Sequence, residues 1–246
     1  MNILAALQNK KLGIVELLSI SFSVYIANLK DILAIYSSTL LPFQLLFFIL
    51  LEPNLGIGAI LGLGLTTLLV IIAYFGMFLS SYAWTVGVSI IAENYVQGKV
   101  SKFSKILKSI LSRIWHLINL SIQYSLTGFL LSLLLVIPGI IYGIRYSYIF
   151  YAFILRDQKG KAAFAYSRLV VKGNWWKVFF FGFLTPLAAI LLQIACAKVL
   201  RIIPFLDISV ITVLSQVLSN IISVGFALGS ILLFLNLDYW QNLSKK

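Results

Sequence analysis

Long apolar runs without charge are the feature that most limits what this chain can fold into. The longest run extends from residue 55 to residue 92 and contains no Asp, Glu, Lys or Arg. At about 1.5 Å per residue, a helix of that length exceeds the ~30 Å hydrocarbon core of a bilayer. Only 11% of the residues are charged, whereas about a quarter are charged in soluble domains. We therefore expect an all-α, polytopic membrane helical bundle in which residues 1–246 form a single integral membrane domain.

Turns and basic segments divide the apolar runs into six predicted spans. The second run is interpreted as one long helix, because two spans would place the next basic loop outside. A break near Gly76 or at Ser80-Ser81 is the alternative. Pro42 and Pro186 predict kinks within the first and fifth spans. The fourth span is barely long enough to cross, so a thinned bilayer, burial of the segment within the protein or a re-entrant path stays open. The predicted spans are residues 33–51, 55–92, 115–137, 139–155, 178–199 and 208–237.

The distribution of basic residues orients these spans. The formal net charge is +12, and Lys and Arg collect in the cytoplasmic loops of membrane proteins. With both termini cytoplasmic, all Lys and Arg except Arg145, Lys198 and Arg201 fall inside. We therefore predict a multi-pass protein of the plasma (inner) membrane. Membrane topology accounts for the positive charge better than nucleic acid does, and no nucleic-acid partner is expected.

Two segments have the spacing of amphipathic interfacial helices. Residues 14–30 carry a polar stripe that includes Glu16 and Lys30, and residues 101–114 place lysines opposite an apolar face. The second segment predicts binding to anionic lipid. A helix packed beneath the bundle is the competing interpretation, and binding of a calmodulin-like protein or nucleic acid is a weaker one. The lysine face comprises Lys102, Lys105 and Lys108.

A second basic segment runs from Arg156 to Lys177. Within it, Lys161, Arg168 and Lys172 share one helical face, and Gly173 follows as a C-terminal cap. The two basic segments together predict a cytoplasmic face that binds anionic membrane lipids or an acidic protein partner.

Four polar side chains inside the predicted spans form the candidate intramembrane site. Arg145 is the most informative, because a charge at the bilayer centre costs at least ~2.5–3.5 kcal/mol and needs a partner or water. It is either a site for an anionic group or a structural arginine that caps carbonyls or reaches outward. The amides are expected to bond between helices, with a polar pathway as the alternative. They are Gln193, Gln216 and Asn220.

Glycine pairs in the G-x-x-x-G pattern favour close helix packing, within the chain or in a homo-oligomer. They are Gly58/Gly62, Gly139/Gly143 and Gly225/Gly229.

The central stretch carries a set of residues that is similar to a known family. It resembles the membrane domain attached to some bacterial glycerophosphodiester phosphodiesterases, and related uncharacterised six-helix bacterial families. The resemblance covers about 40 residues well and implies an integral inner-membrane module without known activity. The chain lacks the phosphodiesterase domain of the fused form, so that activity is not expected here. The residues that carry the resemblance are Pro138, Gly139, Ile140, Arg145, Tyr146, Ala163, Ser167, Leu169, Val170, Lys172, Gly173, Asn174 and Trp175.

The inventory of reactive side chains argues against an enzyme. One His, one Cys and seven acids exclude most nucleophile and metal constellations. No metalloprotease, nucleophile-elbow or phosphate-loop motif is present. We expect no cofactor and a non-catalytic module that acts as a scaffold, regulator or assembly partner. A small transporter or lipid-handling protein with a polar site around Arg145 is the alternative.

Overall fold

Helices make up almost all of the computed structural model, which describes residues 3–51, 56–100, 103–204 and 206–243. Over these residues the chain is all-helical, as predicted. The helices are α1 (Ile3–Asn9), α2 (Ile14–Ala27), α3 (Leu29–Leu51), α4 (Ile57–Val96), α5 (Phe103–Leu134), α6 (Val136–Arg145), α7 (Ile149–Arg156), α8 (Lys161–Val171), α9 (Trp175–Leu200) and α10 (Ile208–Leu243).

Four of these helices are long and apolar enough to cross a bilayer. They are α3, α4, α9 and the part of α10 from Ile208 to Gln241. The sequence prediction of several membrane-crossing helices is confirmed at this level of length and composition. The count of six spans stays a prediction, as does the interfacial position of the amphipathic segments.

Helix α10 forms the centre of the bundle. Every residue from Ile231 to Asp238 is buried, because α1, α2, α4, α8 and α9 pack around this part of the helix. Glycines allow the neighbours to come close: a Cβ at Gly225 would lie 2.5 Å from the Phe22 ring, and one at Gly229 would lie 2.6 Å from the Phe181 ring. The predicted close packing at this glycine pair is confirmed within the chain.

The predicted amphipathic helix over residues 14–30 is confirmed in part. It buries Leu17, Ile20 and Val24 against the bundle and leaves Glu16 exposed. It ends at Ala27, however, and Asn28 caps it by donating its side-chain amide to the Val24 carbonyl oxygen at 2.8 Å. Helix α3 then starts at residue 29, so the last two residues of the predicted segment belong to α3.

Helix α4 is long, as predicted, but its one internal break lies at Gly62 rather than near Gly76 or at Ser80-Ser81. The backbone of Gly62 has a φ of 74° and leaves the helical region there, a conformation that glycine adopts without steric cost. Both positions considered for a break are contacts with α3. Gly76 faces the Phe43 ring, and the Ser80 hydroxyl donates to the Thr39 carbonyl oxygen at 2.8 Å.

The boundary between the third and fourth predicted spans, which falls at Pro138, lies three residues earlier in the structure. The break falls at Leu135, which is extended and precedes α6, while Pro138 sits in the first turn of α6. The proline ring would clash with the carbonyl oxygen four residues earlier, at the end of α5, so α5 cannot continue through it. Proline is tolerated in the first turn of a helix, because the backbone N–H groups there have no acceptor within the helix. Gly139 then packs against Ser132 of α5.

The segment over residues 139–155 is not one helix. Helix α6 ends at Arg145 and α7 begins at Ile149, with a turn at residues 146–148. By contrast, the basic segment and the third predicted span form the single helix α5. Whether this segment crosses the membrane fully or follows a re-entrant path is therefore a question about two short helices, α6 and α7.

Candidate functional site

The C-terminal end of α6, the last turns of α8 and the start of α9 enclose a cavity of about 490 Å³. We call it the cationic pocket, because Arg145, Arg168 and Lys172 line it. Apolar side chains form the rest of its wall, among them Ile141 and Trp175. Two groups of residues that the sequence suggested separately, the intramembrane arginine and the basic face of α8, thus meet at one site.

The three cations of the cationic pocket have no acidic partner among the described residues. Among the described residues, the ion pairs join Lys10 to Glu16 and Arg156 to both Glu93 and Asp238. Two of the pocket cations end helices: Arg145 closes α6, and Arg168 lies in the last turn of α8. The helix dipoles favour positive charge at these positions, but they do not neutralise it. The cavity is therefore positively charged and suited to an anion.

A buried serine fixes the position of Arg145. The Ser167 hydroxyl donates to the Arg145 carbonyl oxygen at 3.2 Å and accepts from the Tyr148 backbone N–H at 3.1 Å. Ser167 is fully buried. It therefore ties the turn between α6 and α7 to α8, and so holds Arg145 next to the helix that carries Arg168.

The predicted cap between α8 and α9 is confirmed. Gly173 has a φ of 79°, the left-handed conformation in which helices commonly end. Asn174 is buried, and its backbone N–H donates to the Val171 carbonyl oxygen at 2.9 Å. Helix α9 begins directly afterwards at Trp175. This tight connection brings Lys172 and Trp175 into the same cavity.

The other predicted basic residues lie outside the cationic pocket. Lys105 and Lys108 are exposed on α5, and Lys161 is exposed at the start of α8. Lys102 lies outside the described residues. On α5 the apolar face is split: Ile106 is buried, whereas apolar side chains beside the lysines are exposed, notably Leu107, Leu111 and Trp115.

The amides predicted for the intramembrane site are not near Arg145. Gln216 lines a separate cavity of about 390 Å³ between α3, α4 and α10, and its side chain donates to the Asn220 side-chain oxygen at 3.0 Å. Gln44 lines the same cavity and accepts from the Tyr36 hydroxyl at 2.6 Å. Gln193 is half-buried on α9. The Gln216–Asn220 hydrogen bond lies within α10, but the Asn220 side chain also hydrogen-bonds to the Tyr36 side chain of α3, which is a bond between helices. For Gln193 a bond between helices stays a prediction.

A partly buried ionic cluster, built around the buried Asp238, was missed by sequence reasoning. The guanidinium of Arg156 pairs with Glu93 Oε1 at 2.5 Å and donates from Nε to Asp238 Oδ2 at 2.7 Å. The Tyr166 hydroxyl donates to the other oxygen of Asp238. We call these four residues the Arg156 cluster. It joins the ends of α4, α7 and α10 to α8.

Charge balance explains why the Arg156 cluster can be buried. Desolvation opposes the charge of the guanidinium, but the hydrogen bond and charge of Glu93 and the charge of Asp238 outweigh it, so the pKa of Arg156 lies above its ordinary value. The sequence analysis counted Arg156 only as one charge of the basic segment from Arg156 to Lys177. The sequence did contain a signal for this cluster: Glu93 and Asp238 are isolated acids near the ends of long apolar runs. An acid that is buried at such a position needs a cation as its partner.

Metal binding has no support in the described part of the chain, where no three His, Cys, Asp or Glu side chains come together. Comparison of the chain with protein-family models, with curated proteins and with solved structures found no match. The resemblance to the phosphodiesterase membrane domain therefore rests on the quoted residues alone and stays a prediction. Function has to be argued from the site itself.

Proposed function

We propose that this chain is a non-catalytic integral membrane module, acting as a scaffold, regulator or assembly partner, that binds the head groups of anionic lipids. The observation that carries the proposal is the cationic pocket, where Arg145, Arg168 and Lys172 surround one cavity without a carboxylate among the described residues. Arginine and lysine are the side chains that bind phosphate most strongly.

The surroundings of the cationic pocket favour a lipid over a soluble anion. Helix α6 buries no side chain and exposes Val136, Ile137 and Ile140. Trp176, at the start of α9, is 74% exposed. Exposed apolar surface next to an aromatic residue is typical of the level at which lipid head groups meet the hydrocarbon core. A head group in the pocket would leave its acyl chains along α6.

The same reasoning extends to topology. Six spans with both termini cytoplasmic, in the plasma membrane, would place Arg168, Lys172 and the lysines of α5 on the cytoplasmic side. Because Arg145 lines the same cavity as Arg168 and Lys172, we propose that it lies toward this side as well, although the sequence did not count it among the inner charges. The exposed apolar residues of α5 support its contact with lipid; examples are Ile122, Leu126 and Leu133. Single cysteines near Lys105 and Lys161 should then react with a membrane-impermeant reagent from the same side. Labelling from opposite sides would exclude this topology.

Lipid binding can be measured by counting bound lipids in native mass spectra of protein released from anionic membranes. We expect the triple variant Arg145→Gln, Arg168→Gln, Lys172→Gln to lose most of its anionic lipid. The matched control removes the same charge from exposed residues elsewhere: Lys30→Gln, Lys198→Gln, Arg201→Gln. Equal lipid retention in the two triple variants would exclude the cationic pocket as the binding site.

The lysine face of α5 is a second basic surface and gets its own test. Charge reversal at Lys102, Lys105 and Lys108 should weaken binding to anionic membranes or to an acidic protein partner. Unchanged binding would confine the proposed interaction to the cationic pocket.

Transport of a small anion or lipid is the second candidate function. One observation favours it: the break between α6 and α7 lies directly beside Arg145, and transporters commonly build their sites at discontinuous helices. Flux of an anion in proteoliposomes that is lost in Arg145→Gln would support transport. Flux equal to that of protein-free vesicles would exclude transport and leave the lipid-binding module as the proposed function.

A further inference from the structure

We infer that the ligand of the cationic pocket is a phosphate monoester, the dianionic end group of a lipid such as phosphatidate, rather than a phosphodiester head group. The inference rests on the proposed function and narrows it to one class of anionic ligand. Three features of the pocket carry it: the number of its cations, the absence of an acid from its lining, and the positions of its two arginines.

The number of cations fits a dianion. Three positive side chains line one cavity, and none is paired with a carboxylate of the described residues. A phosphodiester lipid brings one negative charge, whereas a monoester brings close to two at pH 7, together with three acceptor oxygens. The monoester therefore neutralises more of the charge that this cavity concentrates.

The lining also selects against head groups that carry an amine. No Asp or Glu lines the cavity, and Trp175 is its one aromatic residue among those described. An ethanolamine ammonium would need a carboxylate, and a choline group would need a cage of several aromatic rings. Next to three cations, either amine would be repelled. A head group that ends in a bare phosphate avoids this repulsion.

The two arginines approach the cavity from different helices. Arg145 comes from the end of α6 and Arg168 from α8, and Ser167 fixes one helix relative to the other. A guanidinium fork can hold two phosphate oxygens at once. Two forks and one ammonium thus offer enough donors for all three free oxygens of a monoester, whereas a diester has two.

The inference predicts a pH dependence that comes from the ligand. The charged side chains that face the cavity are Arg145 from α6, Arg168 from α8 and Lys172, which directly follows α8, while α9 contributes Trp175. No His, the side chain that ordinarily titrates between pH 5 and 8, lines it. The second ionisation of a phosphate monoester lies near pH 6, so only about a tenth of the ligand is dianionic at pH 5.

Calorimetric titration of the detergent-solubilised full chain with short-chain lipids tests the inference. At pH 7.5 we expect dihexanoyl phosphatidate to bind about tenfold more tightly than dihexanoyl phosphatidylglycerol, since the second charge adds to every cationic contact. Between pH 7.5 and pH 5.0 the affinity for phosphatidate should fall roughly fivefold, toward that for phosphatidylglycerol, because the monoanion still binds. The affinity for phosphatidylglycerol should stay constant. Glycerol 3-phosphate is the third ligand, and binding as tight as that of phosphatidate would identify a soluble monoester as the ligand.

The outcomes separate this inference from the proposed function. Equal affinities for the two lipids at both pH values, with both lost in Arg145→Gln and Arg168→Gln, would overturn the monoester preference and keep the lipid site. Affinities unchanged by Arg145→Gln, Arg168→Gln and Lys172→Gln would overturn both. The conservative change Arg168→Lys keeps the charge but removes the fork, and we expect it to weaken phosphatidate binding more than phosphatidylglycerol binding. Retained size-exclusion profiles and helical circular dichroism establish that each variant is folded.

Discussion

Arg145 and Arg156 close the two short helices α6 and α7, yet their surroundings are opposite. Arg156 is 19% exposed and pairs with Glu93 and Asp238. Arg145 is exposed, lines an open cavity with two further cations and has no carboxylate partner among the described residues. The same side chain therefore occurs once with its charge balanced by the fold and once with its charge left for something else.

The difference shows how to separate a structural charge from a binding charge. A buried charge must be compensated within the protein, because desolvation is otherwise too costly. An exposed group of like charges gains nothing from its own neighbours, and this is why we propose a ligand for the cavity that these side chains line. The predictions that follow probe each half of this distinction, from the largest expected effect to the smallest.

Replacing Arg156 should cost the most stability. In Arg156→Leu, Glu93 and Asp238 lose their shared cation while Asp238 stays almost fully buried. Breaking a buried pair in this way costs about 3–5 kcal/mol. We expect a corresponding loss in the free energy of unfolding, measured by denaturant titration in detergent. Arg168→Leu in the cationic pocket is the matched control and should change stability by no more than about 0.5 kcal/mol. Equal effects of the two changes would remove the distinction.

Ser167→Ala should have an intermediate effect, because it touches the link between the two regions. The change removes the hydrogen bond to the Arg145 carbonyl oxygen and leaves the Tyr148 N–H without its acceptor. A buried unsatisfied group costs about 1–3 kcal/mol. We also expect weaker lipid binding, since Arg145 loses its fixed position. Ser147→Ala is the control: its hydroxyl bonds only to the Ile144 carbonyl oxygen of the preceding turn. Wild-type stability of Ser167→Ala would show that the turn is held by other contacts.

The smallest effect is expected at a pair that is compensated but exposed. Glu16 accepts hydrogen bonds from Lys10 and from the Gly13 backbone N–H, and these contacts lower its pKa below 4.5. A lowered pKa stabilises the fold above the unfolded-state value, and this contribution is lost as the pH falls through the folded-state pKa. Thermal unfolding should therefore show the wild type slightly more stable than Glu16→Gln at pH 6, and this difference should disappear as the pH falls to 3. A difference as large as that of Ser167→Ala would show that burial is not what separates the Arg156 cluster from surface pairs.

Much of the fold could be predicted from the chain itself, because it follows from local patterns. The buried stripe of α2, the length of α4 and the glycine cap after α8 depend on periodicity, on missing charge and on the backbone freedom of glycine. The break before α6 was displaced from Pro138 to Leu135, because a proline acts on the carbonyl one turn earlier and is itself tolerated in a first turn. The break after Arg145 was missed, because the apolar run continues across it.

The candidate site could be predicted only in pieces. Arg145 and the basic face of α8 were each recognised, but their meeting in one cavity depends on how α6 packs beside α8 and α9. The Arg156 cluster was missed for the same reason, since Glu93 and Asp238 lie far from Arg156 along the chain. Pairings of this kind are set by tertiary packing and leave no periodic signal.

Thermal unfolding of Arg145→Gln and Arg156→Gln, each with and without dihexanoyl phosphatidate, tests the central distinction most directly. A ligand raises Tm in proportion to its binding to the folded state. We expect Arg145→Gln to keep the wild-type Tm without lipid and to lose the increase that lipid produces. Arg156→Gln should start from a lower Tm and keep that increase. The account is contradicted if Arg145→Gln and Arg156→Gln lower Tm by the same amount without lipid and show the same increase in Tm with lipid. Arg145 and Arg156 would then not differ in how their charges are used.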